Sequence, residues 1–207
     1  MNIITENKIN LVVDYFKDYD KFVIFGKGPT FKEKKKEIKE YYACVNNTIN
    51  FINDCDILIC NDVESFDKIN LKKLNNLKFI IIPYHIHLNK KWNKLITYND
   101  IIKKIKDYFK GSLIIYNLNS SNIKYNDYIS LESKISSSNN MIDFICKYLK
   151  NIKKIDLYGI GIEKNYEYNN IFLNKEKSSP YNYNYINKIR THIINICTKN
   201  NLEFKLN

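Results

Sequence analysis

The chain is poor in the residues that punctuate or cross-link a fold. Its 207 residues include five glycines, three prolines and one tryptophan. Among 33 basic side chains only Arg190 is an arginine. Phosphate recognition favours the bidentate arginine fork, so the formal charge of +11 is not read as a nucleic-acid footprint, and no nucleic-acid partner is expected. Heavy use of Asn, Ile, Lys and Tyr fits a biased, AT-rich coding sequence instead. The charge does suit weak attraction to anionic surfaces such as a membrane face. The five cysteines, at 44, 55, 60, 146 and 197, are odd in number and form no CxxC pair. That argues against a disulfide framework or a zinc site and suits reduced, cytoplasmic thiols. No apolar run reaches the ~18–20 residues of a membrane span. The opening MNIITENKIN has no basic segment before an apolar core, so no secretory leader is expected.

What is present is globular. Hydrophobic residues make up 44% of the chain and aromatics 14%, enough for one well-buried core with room for a mobile lid. The scarce glycines are concentrated: Phe22-Val-Ile-Phe25 runs into Gly26-Lys-Gly28-Pro29-Thr30. A short β-branched and aromatic run reads as a buried strand. Glycines after it permit a sharp turn and close approach of a ligand. Thr30 is placed to cap a helix over Lys32 to Glu40. Strand, glycine turn and helix N-terminus together offer backbone N–H groups to a phosphate.

Further along, helical spacing covers about 5–18, 99–109, Asn140 to Leu149 and 184–198. Strands are expected at Tyr42 to Asn46, Asp56 to Cys60, Phe79 to Pro83, Leu113 to Tyr116 and Ile155 to Tyr158, with a possible edge strand at Leu202 to Leu206. This alternation predicts one α/β domain over 1–207, a Rossmann-like, mainly parallel sheet with helices on both faces. Ligands of such sheets bind at the carboxyl ends of the strands. Residues 117–139 are Ser/Asn-rich and read as a surface connection; residues 163–183 are polar but dense in tyrosine and read as a lid.

Taken in order, the strand ends read Gly26-Lys-Gly-Pro-Thr30, Val45-Asn46-Asn47, Cys60-Asn61-Asp62, then Lys134-Ile-Ser-Ser-Ser138 and Leu157-Tyr-Gly-Ile-Gly161. This series resembles the small bacterial lipooligosaccharide sialyltransferases, which transfer sialic acid from CMP-sialic acid without a metal. Their pattern has a GxGPS turn, an asparagine after each of the next two strands, a serine motif before a helix, and a strand ending in Gly-Ile-Asp. The resemblance implies a CMP-sugar donor, a glycan acceptor and no other cofactor. It implies that Gly26, Gly28, Pro29 and Thr30 cradle the donor phosphate and that Asn46 and Asn61 hydrogen-bond the nucleotide. Ser137 and Ser138 would meet the cytidine-sugar side, with Tyr181 closing from the lid.

Three positions depart from the family. Gly161 replaces its aspartate, Lys134 its arginine, and Asn184 the general-base histidine. An amide cannot take a proton at neutral pH. His85 and His87, after the fourth strand in Pro83-Tyr-His-Ile-His-Leu88, are therefore the candidate catalytic residues, whereas His192 reads as structural within the last helix. Asp54-Cys55-Asp56 matches a DxD, but it precedes a strand and reads as a loop and strand start. Asp62 follows a strand and suits Mg²⁺ and phosphate, as in the pterin pyrophosphokinase-like proteins that share the GxGPS turn. Three readings follow: a CMP-sugar-dependent glycosyltransferase, a Mg²⁺-dependent phosphoryl or pyrophosphoryl transferase, and a nucleotide or sugar-nucleotide binder without turnover. The sequence is also compatible with a homo-oligomer.

Overall fold

The structure is a computed structural model describing residues 1–28, 30–32, 34–61, 63–84, 87–89, 94–118, 127–132, 136–160 and 183–207. Its strands are β1 (Asn2–Ile4), β2 (Lys21–Phe25), β3 (Tyr41–Val45), β4 (Ile57–Ile59), β5 (Phe79–Pro83) and β6 (His87–Asn89). They continue with β7 (Lys94–Ile96), β8 (Ser112–Leu118), β9 (Ile129–Leu131), β10 (Lys154–Tyr158) and β11 (Glu203–Leu206). The α-helices are α1 (Asn10–Tyr15), α2 (Tyr98–Ile105), α3 (Ser137–Tyr148) and α4 (Tyr183–Lys199).

Nine strands form one sheet in the order β1-β8-β5-β4-β3-β2-β10-β11, with β9 also beside β8. Every pairing in it is parallel. β1 and β9 share one side of β8, β1 along residues 112–114 and β9 along 116–118. β6 and β7 form a separate antiparallel hairpin.

The strand period of two divides the core. Phe22, Ile24, Tyr41 and Ala43 face α1, α3 and α4, while Val23, Phe25, Tyr42 and Cys44 face α2 and the 3-10 helices at 46–51, 63–67 and 71–76. Both faces of the parallel sheet are thus covered, which explains its near-continuous apolar strands. This is the expected Rossmann-like α/β architecture.

Two expected helices change. Among the described residues of 31–40, which are 31, 32 and 34–40, no helix forms. The segment runs irregularly to a turn at Lys39, whose φ is +73°. Lys34 reaches Glu40 at 2.8 Å and Lys36 reaches Asp56 at 2.6 Å, while the Tyr42 hydroxyl donates to the Lys35 carbonyl. Lys34 and Lys36 are therefore tied to buried carboxylates, and these ties outweigh a modest helix propensity. The first helix is also shorter than 5–18: a 3-10 turn at Glu6–Lys8 precedes α1. Strands β1, β6, β7 and β9 are additions to the expected set, being three residues each and too short for a periodic signal. The lid expected over 163–183 lies almost wholly outside the described residues.

Candidate functional site

The chain steps from β2 through β3, β4 and β5 to β8 in one direction, then returns with β10 on the other side of β2. That reversal is the topological switch point of the sheet, where a crevice is expected beyond the carboxyl ends. The glycine turn sits there, but it is closed against β10. Gly26 N–H donates to the Tyr158 carbonyl at 2.8 Å, and Gly28 N–H to the Gly159 carbonyl at 2.5 Å. Gly159 N–H donates to Thr30 Oγ1 at 3.1 Å. The Gly26 and Gly28 N–H groups, expected to face a phosphate, are thus committed within the protein. Thr30 caps the end of β10 and not a helix, since the described residues of 31–40 are not helical.

One strand further along, a second polar group assembles. Asn46 follows β3 with φ +55° and opens the 46–51 helix, and Asn61 stands just beyond β4. Thr48 fixes this corner, its hydroxyl lying 3.0 Å from Val45 N and 3.1 Å from the Phe25 carbonyl oxygen. Ser137, the first residue of α3, joins the two asparagines. Its Oγ accepts Asn61 N–H at 3.0 Å, across 76 residues of sequence, and donates to Asn46 Oδ1 at 3.3 Å, across 91.

Tyr116, on β8, extends the network. Its hydroxyl donates to Asn61 Oδ1 at 2.8 Å and accepts from Asn140 Nδ2 at 3.0 Å. The phenol has one proton, and with it on Asn61 Oδ1 the Asn140 amide presents its Nδ2 to the hydroxyl. Asn140 Oδ1 then has no hydrogen-bond partner among the described residues, although the residue is fully buried. A buried acceptor in that state costs about 1–3 kcal/mol unless a donor reaches it.

Ser136 caps α3 by accepting Asn139 N–H at 3.1 Å, and Asn139 Nδ2 donates across to the Ile189 carbonyl of α4 at 3.3 Å. Ser137, Ser138, Asn139 and Asn140 are all buried. Small neutral groups on strand ends, facing the positive end of a 12-residue helix, can hold an uncharged polar ring or a phosphate without a counter-charge.

Asn46, Asn61, Ser137 and Ser138 are thus gathered at one place, while Gly26, Gly28 and Thr30 lie at the neighbouring switch point. Pro29, Asp62, His85, Lys134, Gly161 and Tyr181 fall outside the described residues. His87 opens β6, four positions after Pro83 (83 to 87), and so within about 14 Å of the carboxyl edge along the chain. Asn184 is in the first turn of α4. Asp54-Cys55-Asp56 lies at the opposite, amino edge. Asp56 there accepts Tyr42 N–H at 2.8 Å and Lys36 at 2.6 Å, a structural anchor. His192 Nε2 lies 3.1 Å from buried Asp143 Oδ1, pinning α4 to α3.

Tyr116, Asn139 and Asn140 were not singled out from the sequence. The available signal was the uninterrupted polar run Ser136-Ser-Ser-Asn-Asn140 ahead of Met141-Ile142, which reads as capping plus helix start when all five are counted. Tyr116 gave none, since a tyrosine ending an apolar strand looks like core.

No family model, curated protein or solved structure matches this chain. Among the described residues no helix is long and apolar enough to cross a membrane, and no three His, Cys, Asp or Glu side chains gather to hold a metal ion.

Proposed function

We propose that the chain binds a nucleotide-sugar at the carboxyl ends of β3 and β4, with a CMP-linked sugar as donor, and transfers the sugar to a glycan acceptor in the manner of the sialyltransferases it resembles. The observation carrying this reading is the Asn46–Ser137–Asn61 chain of hydrogen bonds. The resemblance names these three residues from separate motifs, and they meet. Asn140 Oδ1, a buried acceptor to which no donor among the described residues reaches, supports it by suiting an amino or hydroxyl group. The N-terminus of α3 supplies partial positive charge for the phosphate.

The test is thermal unfolding with CMP, without added metal. A ligand bound only by the folded state at a hundred times its Kd stabilises by about 2.7 kcal/mol, so Tm should rise clearly. Asn61→Ala and Ser137→Ala should abolish the rise. No shift with millimolar CMP, CDP or CMP-sialic acid sinks the proposal. Stabilisation by ATP or GTP only with Mg²⁺, lost in Asp62→Asn, would favour phosphoryl transfer instead.

One residue favours a second reading, binding without turnover. Asn184 stands where the resembled family has its proton acceptor, and an amide cannot serve. Hydrolysis of CMP-sialic acid separates the two. Turnover lost in His85→Ala or His87→Ala assigns the base to that pair; CMP binding with no turnover in the unaltered protein assigns the chain to the binders.

A further inference from the structure

Three tyrosines meet at the same edge of the sheet, on its other face. Tyr84 directly follows β5, Tyr98 opens α2, and Tyr128 immediately precedes β9. The Tyr84 ring lies 5.1 Å from that of Tyr98, tilted by 34°, and 5.5 Å from that of Tyr128, tilted by 42°. The rings fan out and do not lie flat on one another. All three are half-buried, whereas Phe25, Phe66 and Phe109 on the same face of the sheet are fully buried. The core of that face uses phenylalanine; its carboxyl rim uses three phenols.

Tyr116 couples this rim to the polar cluster. Its carbonyl accepts Tyr84 N–H at 2.9 Å, while its hydroxyl reaches Asn61 and Asn140. Tyr116 therefore stands between the two groups, its hydroxyl in the polar cluster on one face and its carbonyl on the backbone of the tyrosine rim. Strands β4 and β5 are adjacent and so about 4.8 Å apart.

We propose that Tyr84, Tyr98 and Tyr128 form the acceptor platform, binding a neutral pyranose whose C–H face lies on the rings and whose hydroxyls bond the phenols. This deepens the nucleotide-sugar reading and rests on it. Splayed phenols match a sugar, which alternates apolar C–H and polar O–H edges. A nucleobase needs one flat, parallel face. Aromatic rings with a polar tip suit a site that is apolar at one end and wet at the other. A phenol is a neutral donor at physiological pH, and burial and the neighbouring Tyr128 raise Tyr98 further above its ordinary value. The platform carries no charge of its own, so it selects a sugar by shape.

Saturation-transfer difference NMR with lactose as the probe, run with and without CMP, tests this on the full chain. The intact protein should transfer saturation to the lactose C–H protons. Tyr84→Ala should weaken that signal at least five-fold and leave the CMP-induced rise in Tm unchanged. Tyr98→Phe, which keeps the ring and the packing, should lose about half of it. Equal lactose signals in all three proteins, or none in the intact protein, overturn the platform. So does loss of the cytosine signals of CMP in the tyrosine variants, which would make the platform a base site. If lactose binds in a Tyr84-dependent way and CMP does not bind at all, the donor reading fails and the platform stands.

Discussion

Gly26 and Gly159 meet backbone to backbone where β2 and β10 end. A Cβ on Gly26 would lie 2.5 Å from the Gly159 carbonyl oxygen and 2.7 Å from Ile160, closer than atoms pack. Gly159 has φ +63°, and a Cβ there would collide with the Gly26 carbonyl. Close parallel pairing at the switch point therefore requires glycine on both sides. Gly159→Ala combines a left-handed conformation with a backbone clash and should destabilise by about 2–4 kcal/mol. Gly26→Ala carries the clash alone and should cost less. Urea unfolding of the two variants checks the order, and a neutral Gly159→Ala would contradict this geometry.

Tyr116→Phe removes one hydroxyl from the buried network and leaves Asn61 Oδ1 and Asn140 Nδ2 without that partner. Leaving buried polar groups unsatisfied costs about 1–3 kcal/mol, so the variant should unfold at lower urea with an unchanged m-value. A double-mutant cycle with Asn61→Ala should show coupling of about 1 kcal/mol, since the residues bond directly. Strict additivity would mean that the bond contributes nothing in solution.

The core of the sheet was legible because its strands are short apolar runs, and the four main helices because they carry a helical stripe. The convergence of Asn46, Asn61 and Ser137 was legible only through the resemblance: no spacing rule places residue 137 beside residue 61. The segment after Gly28 departs from its local helix signal for a physical reason. Lys32 to Glu40 is rich in good helix formers, but Glu40 is buried between Lys21 and Lys34, and such tertiary pairing is invisible to local propensity. The closure of the glycine turn is hidden from local sequence in the same way. Its partner, Gly159, lies more than a hundred residues away.

The cysteines carry a chemical prediction. All five are free and buried. Burial pushes the Cys146 thiol up to about 11 and the Cys197 thiol up to about 12, and burial raises Cys55 as well. Thiolate is the reactive form, so the native protein at pH 7.5 should react with iodoacetamide far more slowly than the urea-unfolded chain, which should take up five equivalents. Rapid labelling of any one of them in the folded protein would show that its segment opens locally.

Glu40 supplies the pH dependence. Its carboxylate is 2.7 Å from Lys21 and 2.8 Å from Lys34, and Lys21 also reaches Asp156 at 2.9 Å. Burial works against the charge on Glu40, but hydrogen bonds from the two lysines outweigh it and hold the carboxyl below its ordinary value of 4.5. A group whose folded value is depressed contributes stability above its unfolded value and loses it as pH falls through the folded one. The contribution should therefore be complete from about pH 5 upward and vanish in the acid limb. Lys21 and Lys34 have raised values despite burial, so their part is present below 10.5 and is lost only as pH rises beyond it. At pH 7, Glu40→Gln leaves two lysines facing a neutral amide and should destabilise by about 3 kcal/mol. Urea unfolding of the unaltered protein and the variant between pH 2 and 8 should show the gap closing below pH 4.5. A gap that stays constant across that range would mean that packing, and not charge, makes Glu40 matter.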